Sequence, residues 1–190
     1  MTSIIDKALN EIESNFVYLK DPNFQGKIIN SAKIIISAIK NKKKIIFMGN
    51  GGSAADAEHL SAELLGKYLK NRKAYPAISI TSNTSSLTAI SNDFGYENSF
   101  TRQIQGLAIK GDVVVGISTS MQSKNINKAI LEAKKIGCKI IILASKKAKK
   151  TLAKKSDVFL DCPGSRVDRI QENHICVGHM ICEIVENKLS

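Results

Sequence analysis

The chain of 190 residues has no tryptophan, three prolines and only 5 % aromatic residues. Its core must therefore be filled by Ile, Leu, Val and Ala. No apolar run approaches the ~18 residues of a membrane-spanning helix, so no membrane association is expected. Met1-Thr2-Ser3-Ile4-Ile5-Asp6-Lys7 lacks a signal-peptide pattern, and a cytoplasmic location is expected. Cysteine is sparse: none of Cys138, Cys162, Cys176 and Cys182 forms a C-x-x-C pair, and in the cytosol all four stay reduced. Arginine is sparse too, with four against a formal net charge of +11. The lysines are scattered without interleaved aromatics, as on a solvated surface, so no nucleic-acid partner is expected. The charge still favours anionic substrates. Hydrophobic residues at 43 % and charged residues at 24 % fit one globular domain.

Apolar residues recur at helical spacing at Ile5, Leu9, Ile12, Phe16 and Leu19, and again at Phe24, Ile28, Ala32, Ile35 and Ile39. Asp21-Pro22-Asn23 separates two helices, which form an N-terminal helical arm over residues 1–42. Residues 43–190 then alternate between strand and helix. Short β-branched runs predict strands at Lys44–Met48, Ala77–Ile80, Asp112–Gly116, Lys139–Leu143 and Val158–Leu160. Helices are expected at Ala54–Lys70, Ser85–Asn92, Ser99–Ile109, Ile126–Ile136, Lys147–Lys155 and Val167–Lys188. This order predicts an α/β fold, a doubly wound five-stranded parallel sheet flanked by helices. Ligands of such folds bind beyond the carboxyl ends of the strands.

Two of the loops at those ends are rich in glycine and hydroxyls. Gly49-Asn50-Gly51-Gly52-Ser53 is neither a dinucleotide fingerprint nor a Walker loop, and its plainest form is a tight turn capped by Ser53. Ser118-Thr119-Ser120-Met121-Gln122-Ser123 has more hydroxyls than capping needs and faces a helix N-terminus, which favours an anion site. On the helix after the glycine turn, His59 and Glu63 lie at i and i+4 on one face. Glu63 there suits a general base, a metal ligand, or both, or else an exposed hydrogen bond. On the last helix Asp168, Gln171 and His179 share a face with Cys182, an alternative soft ligand, while His174 points elsewhere. Gln171 and His179 stand about 12 Å apart along that helix, and spacing alone does not select them.

The GNGGSAADAEHLSAEL segment, Ser91-Asn92-Asp93-Phe94-Gly95, the ISTS loop and the Asp168-Arg169-Ile170-Gln171-Glu172 to His179 stretch occur in one order over nearly the whole chain. In this the chain resembles the phosphoheptose isomerases, sedoheptulose-7-phosphate isomerases of the sugar-isomerase (SIS) domain class. The resemblance implies conversion of a phosphorylated heptose, sedoheptulose 7-phosphate, to D-glycero-D-manno-heptose 7-phosphate, the entry step to the activated heptoses of bacterial lipopolysaccharide and capsule. It implies zinc held by His59, Glu63, Gln171 and His179, with Glu63 and His179 catalytic. It also implies substrate contacts from Asn50, Gly51, Gly52, Ser53, Glu63, Asn92, Asp93, Ser118, Thr119, Ser120, Ser123, Asp168 and Gln171. A homotetramer with sites near subunit contacts is implied as well. Aldose–ketose isomerisation through an enediol agrees with these residue types, since it needs a proton shuttle and stabilised oxyanion charge.

One departure stands out. Relatives commonly carry S-T-S-G-N-S where this chain has Met121-Gln122, so methionine is expected either to strain the loop or to crowd the phosphate. Three other functions fit parts of the pattern. A non-catalytic SIS protein that binds a replication initiator would not need the acid/base set, which this chain keeps. An isomerase or regulator for another phosphosugar is the second; the hexosamine class usually has two SIS modules, and this chain has room for one. A nucleic-acid binder is suggested by charge alone.

Overall fold

A computed structural model describes residues 2–190. Helices α1 (Thr2–Leu19) and α2 (Pro22–Lys40) come first. Asp21 divides them: its carboxylate accepts from the Phe24 amide at 3.0 Å as N-cap, and Pro22 sits where its missing N–H costs nothing. There follow β1 (Ile45–Gly49), α3 (Gly52–Leu65), β2 (Ala77–Ser79), α4 (Thr84–Phe94), α5 (Ser99–Leu107), β3 (Val113–Ile117), α6 (Lys124–Ile136), β4 (Lys139–Ser145), β5 (Val158–Cys162) and α7 (Val167–Leu189). The five strands form one parallel sheet in the order β2-β1-β3-β4-β5. The expected doubly wound α/β architecture is present.

Strand alternation divides the core between the two faces. Ile45, Phe47, Val113, Val115, Ile117, Ile141 and Leu143 pack with residues of α2, α3 and α7. Ile46, Met48, Val114, Ile140 and Ile142 pack with residues of α5 and α6. Helix α2 buries Phe24, Ile28, Ala32, Ile35 and Ala38 in the first layer. Helix α1 lies outside it, leaving Ile4, Ile5, Leu9, Phe16 and Val17 exposed. Its Glu11 carboxylate accepts from the Ser165 amide at 2.7 Å, just before α7.

Two elements differ from the sequence expectation. Helix α3 ends at Leu65 instead of Lys70, because Gly66 follows and the chain folds back on the last turn. The helix expected at 147–155 is a single 3-10 stretch, Lys150–Lys155. Only Ala148 and Leu152 bury there among many lysines, too little apolar face to offset helix nucleation.

Helices α3 and α7 pack closely side by side, and Gly178 permits it. A Cβ at Gly178 would lie 2.5 Å from both methyls of Leu60. Gly178→Ala is expected to lower stability in urea by about 1–3 kcal/mol through overpacking. Combined with Leu60→Ala it should cost less than the two single losses summed, since the shortened side chain vacates that space. A strictly additive double-mutant cycle would contradict this contact.

Candidate active site

The chain leaves β1 toward β2 on one side, and leaves β3 toward β4 on the other. Gly49 pairs with Ile117, so the loops that leave these two strands emerge next to each other at the switch point. Gly51 in the first loop has φ 55° and ψ −124°, a conformation suited only to glycine. Ser53 N donates to Asn50 O and Ala54 N to Gly51 O, which ties the turn to the start of α3. Gly51 and Gly52 are exposed, and Ser53 is buried.

The Asn50 carboxamide is fixed by its neighbours. Its Nδ2 donates to Asn125 Oδ1 at 3.0 Å. Its Oδ1 accepts from Asn125 Nδ2 at 2.9 Å and from the Tyr96 hydroxyl at 2.8 Å. Two donors occupy the oxygen, so a ligand meets the remaining N–H. Asn125 and Tyr96 escape sequence reasoning, because nothing in their local pattern links them to Asn50. Asn92 and Asp93 are exposed at the end of α4, where Asn92 Nδ2 donates to Asp93 Oδ1 at 2.9 Å. Tyr96 lies a few residues on and connects this segment to the glycine turn.

The second loop shapes itself with part of its own hydroxyl set. Ser118 Oγ accepts from Met121 N at 3.2 Å, and Ser120 Oγ from Gln122 N at 3.3 Å. Ser123 occupies the N-cap of α6 without a side-chain cap bond, leaving its hydroxyl for other use. Thr119 O accepts from Ser145 N and Ser120 O from Lys149 N, which fastens the loop to the end of β4. Met121 has φ 53° and is only 1 % exposed, within the α5/α6 core. The departure at this position therefore strains the backbone, by roughly 1–2 kcal/mol. Its side chain turns into the core and away from the space an anion would enter.

Two turns into α3 the reactive side chains meet. His59 Nε2 lies 3.0 Å from Glu63 Oε1 and 3.3 Å from His179 Nε2. The His59 and His179 rings meet edge to face at 71°, their centroids 4.9 Å apart. The three candidate ligand atoms lie within 4.8 Å of one another. Tetrahedral zinc bonded to nitrogen and oxygen spaces its ligands about 3.3–3.6 Å apart, so small side-chain adjustments let this donor set hold zinc. Two imidazole nitrogens at this distance share one hydrogen bond only if one is protonated, whereas a cation satisfies both.

Gln171 lies apart from these three contacts. Its amide packs against Gly52, with Nε2 3.5 Å from Ser53 Oγ, at the beginning of α3. Asp168 is exposed, and Arg166 holds its carboxylate at 2.7 and 3.1 Å. Chiefly through that hydrogen bonding, its pKa falls to about 2, which keeps it a charged acceptor. Cys182 is 4 % exposed in the sheet-facing core, and burial pushes its thiol up to about 12, so it is a poor ligand. His174 is fully buried beside the Ala144 carbonyl, and burial lowers its pKa to about 4, leaving it neutral.

Asp56, one turn before His59, is a further residue that sequence reasoning passes over. Its Oδ2 is buried without a hydrogen-bond partner. Burial raises its pKa to about 6, against a smaller opposing pull from His59. A carboxylate in the alanine-rich stretch Ala54-Ala55-Asp56-Ala57 is the signal that could have found it.

Comparison with known proteins places the chain. The SIS domain family model matches residues 21–145. The chain is 45 % identical to a phosphoheptose isomerase of a Nitratiruptor species, over 98 % of both chains. A phosphoheptose isomerase structure from Neisseria gonorrhoeae superposes with a TM-score of 0.85 at 34 % identity, covering 98 % of this chain and 96 % of that one. One from Francisella tularensis gives 0.91 at 28 % identity, covering 98 % of this chain and 100 % of that one.

Between about pH 4 and pH 6, folded Asp56 holds a proton that the unfolded chain has released. Stability from this group is therefore present at low pH and falls as pH rises through the window. In chelator-treated protein, Asp56→Asn should raise Tm at pH 7.5, and the gain should disappear near pH 4. An equal gain at both pH values would contradict the buried-charge account.

Proposed function

Because the chain belongs to the phosphoheptose isomerase family of SIS-domain proteins, we propose that it interconverts sedoheptulose 7-phosphate and D-glycero-D-manno-heptose 7-phosphate. The observation that carries this reading is the His59–Glu63–His179 cluster, built on the helix that the glycine turn opens. The full-length likeness to isomerases, together with this acid/base set, does not favour a non-catalytic binding factor.

The phosphate binds at Ser118, Thr119, Ser120 and Ser123, against the amides that open α6 and the positive end of its dipole. Gly51, Gly52 and Ser53, with Asn50 as donor, hold the sugar hydroxyls alongside Asn92, Asp93, Asp168 and Gln171. Glu63 takes the proton from C1 of the ketose and returns it to C2 of the enediol. His179 gives a proton to the C2 oxygen as the ketone becomes the enediol. It takes one from the C1 oxygen as the aldehyde forms, so no proton is gained or lost overall. Zinc, when held by His59, Glu63 and His179 with Gln171 as the further ligand, supplies Lewis-acid stabilisation of oxyanion charge at C1 and C2. Phosphate binding remote from the reacting carbons provides energy to orient them.

The same reading makes the protein a cytoplasmic homotetramer at the first step of activated-heptose synthesis for lipopolysaccharide or capsule, with no nucleic-acid partner. Residues 1–42 serve as its arm and 43–190 as its sugar-phosphate domain. No helix among the described residues is long and apolar enough to cross a membrane. Leu9, Ile12, Phe16 and Val17 of α1 line an apolar groove with Ile28 and Met180. Met180 directly follows His179, which supports sites near subunit contacts.

Glu63→Gln should keep the fold and bind sedoheptulose 7-phosphate by calorimetry, while kcat falls about 10²–10⁴-fold. Dialysis against a chelator should also remove turnover, and zinc should restore it. Near-normal kcat in Glu63→Gln would defeat the mechanism. Phe16→Asp should shift the mass measured by light scattering below that of a tetramer. A wild-type monomer would defeat the assembly proposal.

A further inference from the structure

Glu63 stands in the last turn of α3, where a helix leaves its final carbonyls without partners and frays unless they are satisfied. Here those of Ala62, Glu63 and Leu64 are taken up. Gly66 N donates to Ala62 O at 2.8 Å, and Tyr75 N to Leu64 O at 3.0 Å. Arg72 Nη2 donates to the Glu63 carbonyl at 2.8 Å, and its Nη1 to the carbonyls of Leu64 at 3.0 Å and Gly66 at 3.2 Å. Arg72 is itself held in place. Its Nε donates to Glu186 Oε1 at 2.8 Å, and its guanidinium lies 4.0 Å over the Tyr75 ring. The side chains of this pair are 4 % and 1 % exposed. The other Glu186 oxygen accepts from the amides of Leu69 and Lys70, at 2.8 and 3.1 Å.

The segment pinned in this way carries Tyr68. Its ring stacks on His179, with centroids 5.9 Å apart and planes 26° from parallel. His179 is thus set from two directions, by the Tyr68 face and by the edge contact with His59.

We propose that Tyr68, clamped by the Arg72–Glu186 pair, is a positioning residue that fixes the His179 imidazole for proton transfer at the sugar oxygens. The proposal rests on the acid/base role given to His179 above. The ring alone carries the effect, so phenylalanine replaces tyrosine without loss.

Tyr68→Ala, at a half-buried site, should stay folded by circular dichroism. Its kcat should fall about 10–100-fold with KM within about twofold, and Tyr68→Phe should match the wild type. In 1H–15N spectra of the metal-free protein without substrate, the His179 ring resonances should move in Tyr68→Ala and stay in place in Tyr68→Phe. Unchanged kcat and unchanged resonances in Tyr68→Ala would overturn the proposal. Equal loss in both variants would also overturn it, by giving the role to the hydroxyl. A wild type without heptose isomerase turnover would defeat the functional reading, while the His179 resonances would still decide whether Tyr68 positions the ring.

Discussion

The close packing of α3 against α7 at Leu60 and Gly178 is the constraint on which the site depends. His59 and Glu63 belong to one helix and His179 to the other, more than a hundred residues later. A single extra carbon at Gly178 would press on both methyls of Leu60, at the contact where the two helices meet. That packing buries apolar surface on one face of the sheet, through Leu60, Leu64, Val177 and Ile181. Ordinary core formation thereby brings two imidazoles and a carboxylate within bonding distance of a common ion.

The sheet supplies the other half of the arrangement. Its strand order reverses between β1 and β3, so the glycine turn and the hydroxyl loop leave neighbouring strands. On the proposed function, a phosphorylated sugar is held at one end by Ser118–Ser123 and at the other by α3. Two local costs accompany this arrangement. Met121 sits at positive φ, and one oxygen of the half-buried Asp56 carboxylate, Oδ2, has no hydrogen-bond partner. Both are tolerated because the surrounding packing is extensive, a pattern typical of functional sites.

Much of the fold is legible in the sequence because its strands are short β-branched runs, such as Val113-Val114-Val115 and Ile140-Ile141-Ile142, separated by helical periodicity. Local pattern fails where distant residues decide. Periodicity carries α3 on to Lys70, but Gly66 and the guanidinium of Arg72 end it at Leu65. The lysine-rich stretch near 150 has helical composition but little to bury. In the site, the i, i+4 spacing of His59 and Glu63 is visible, whereas the partnership with His179 requires the helix packing. The grip of Asn125 and Tyr96 on Asn50 crosses three segments, and no spacing rule encodes it. Whether Met121 would crowd a ligand or strain the loop depends on a dihedral angle that sequence does not display.

On the proposed function, the packing of α3 on α7 brings nitrogen and oxygen ligands together for zinc. X-ray absorption at the zinc edge of the zinc-loaded protein tests it most directly. Two imidazoles per zinc are expected, with nitrogen and oxygen at about 2.0–2.2 Å and no sulfur. Sulfur at about 2.3 Å, or coordination without imidazole, would contradict it.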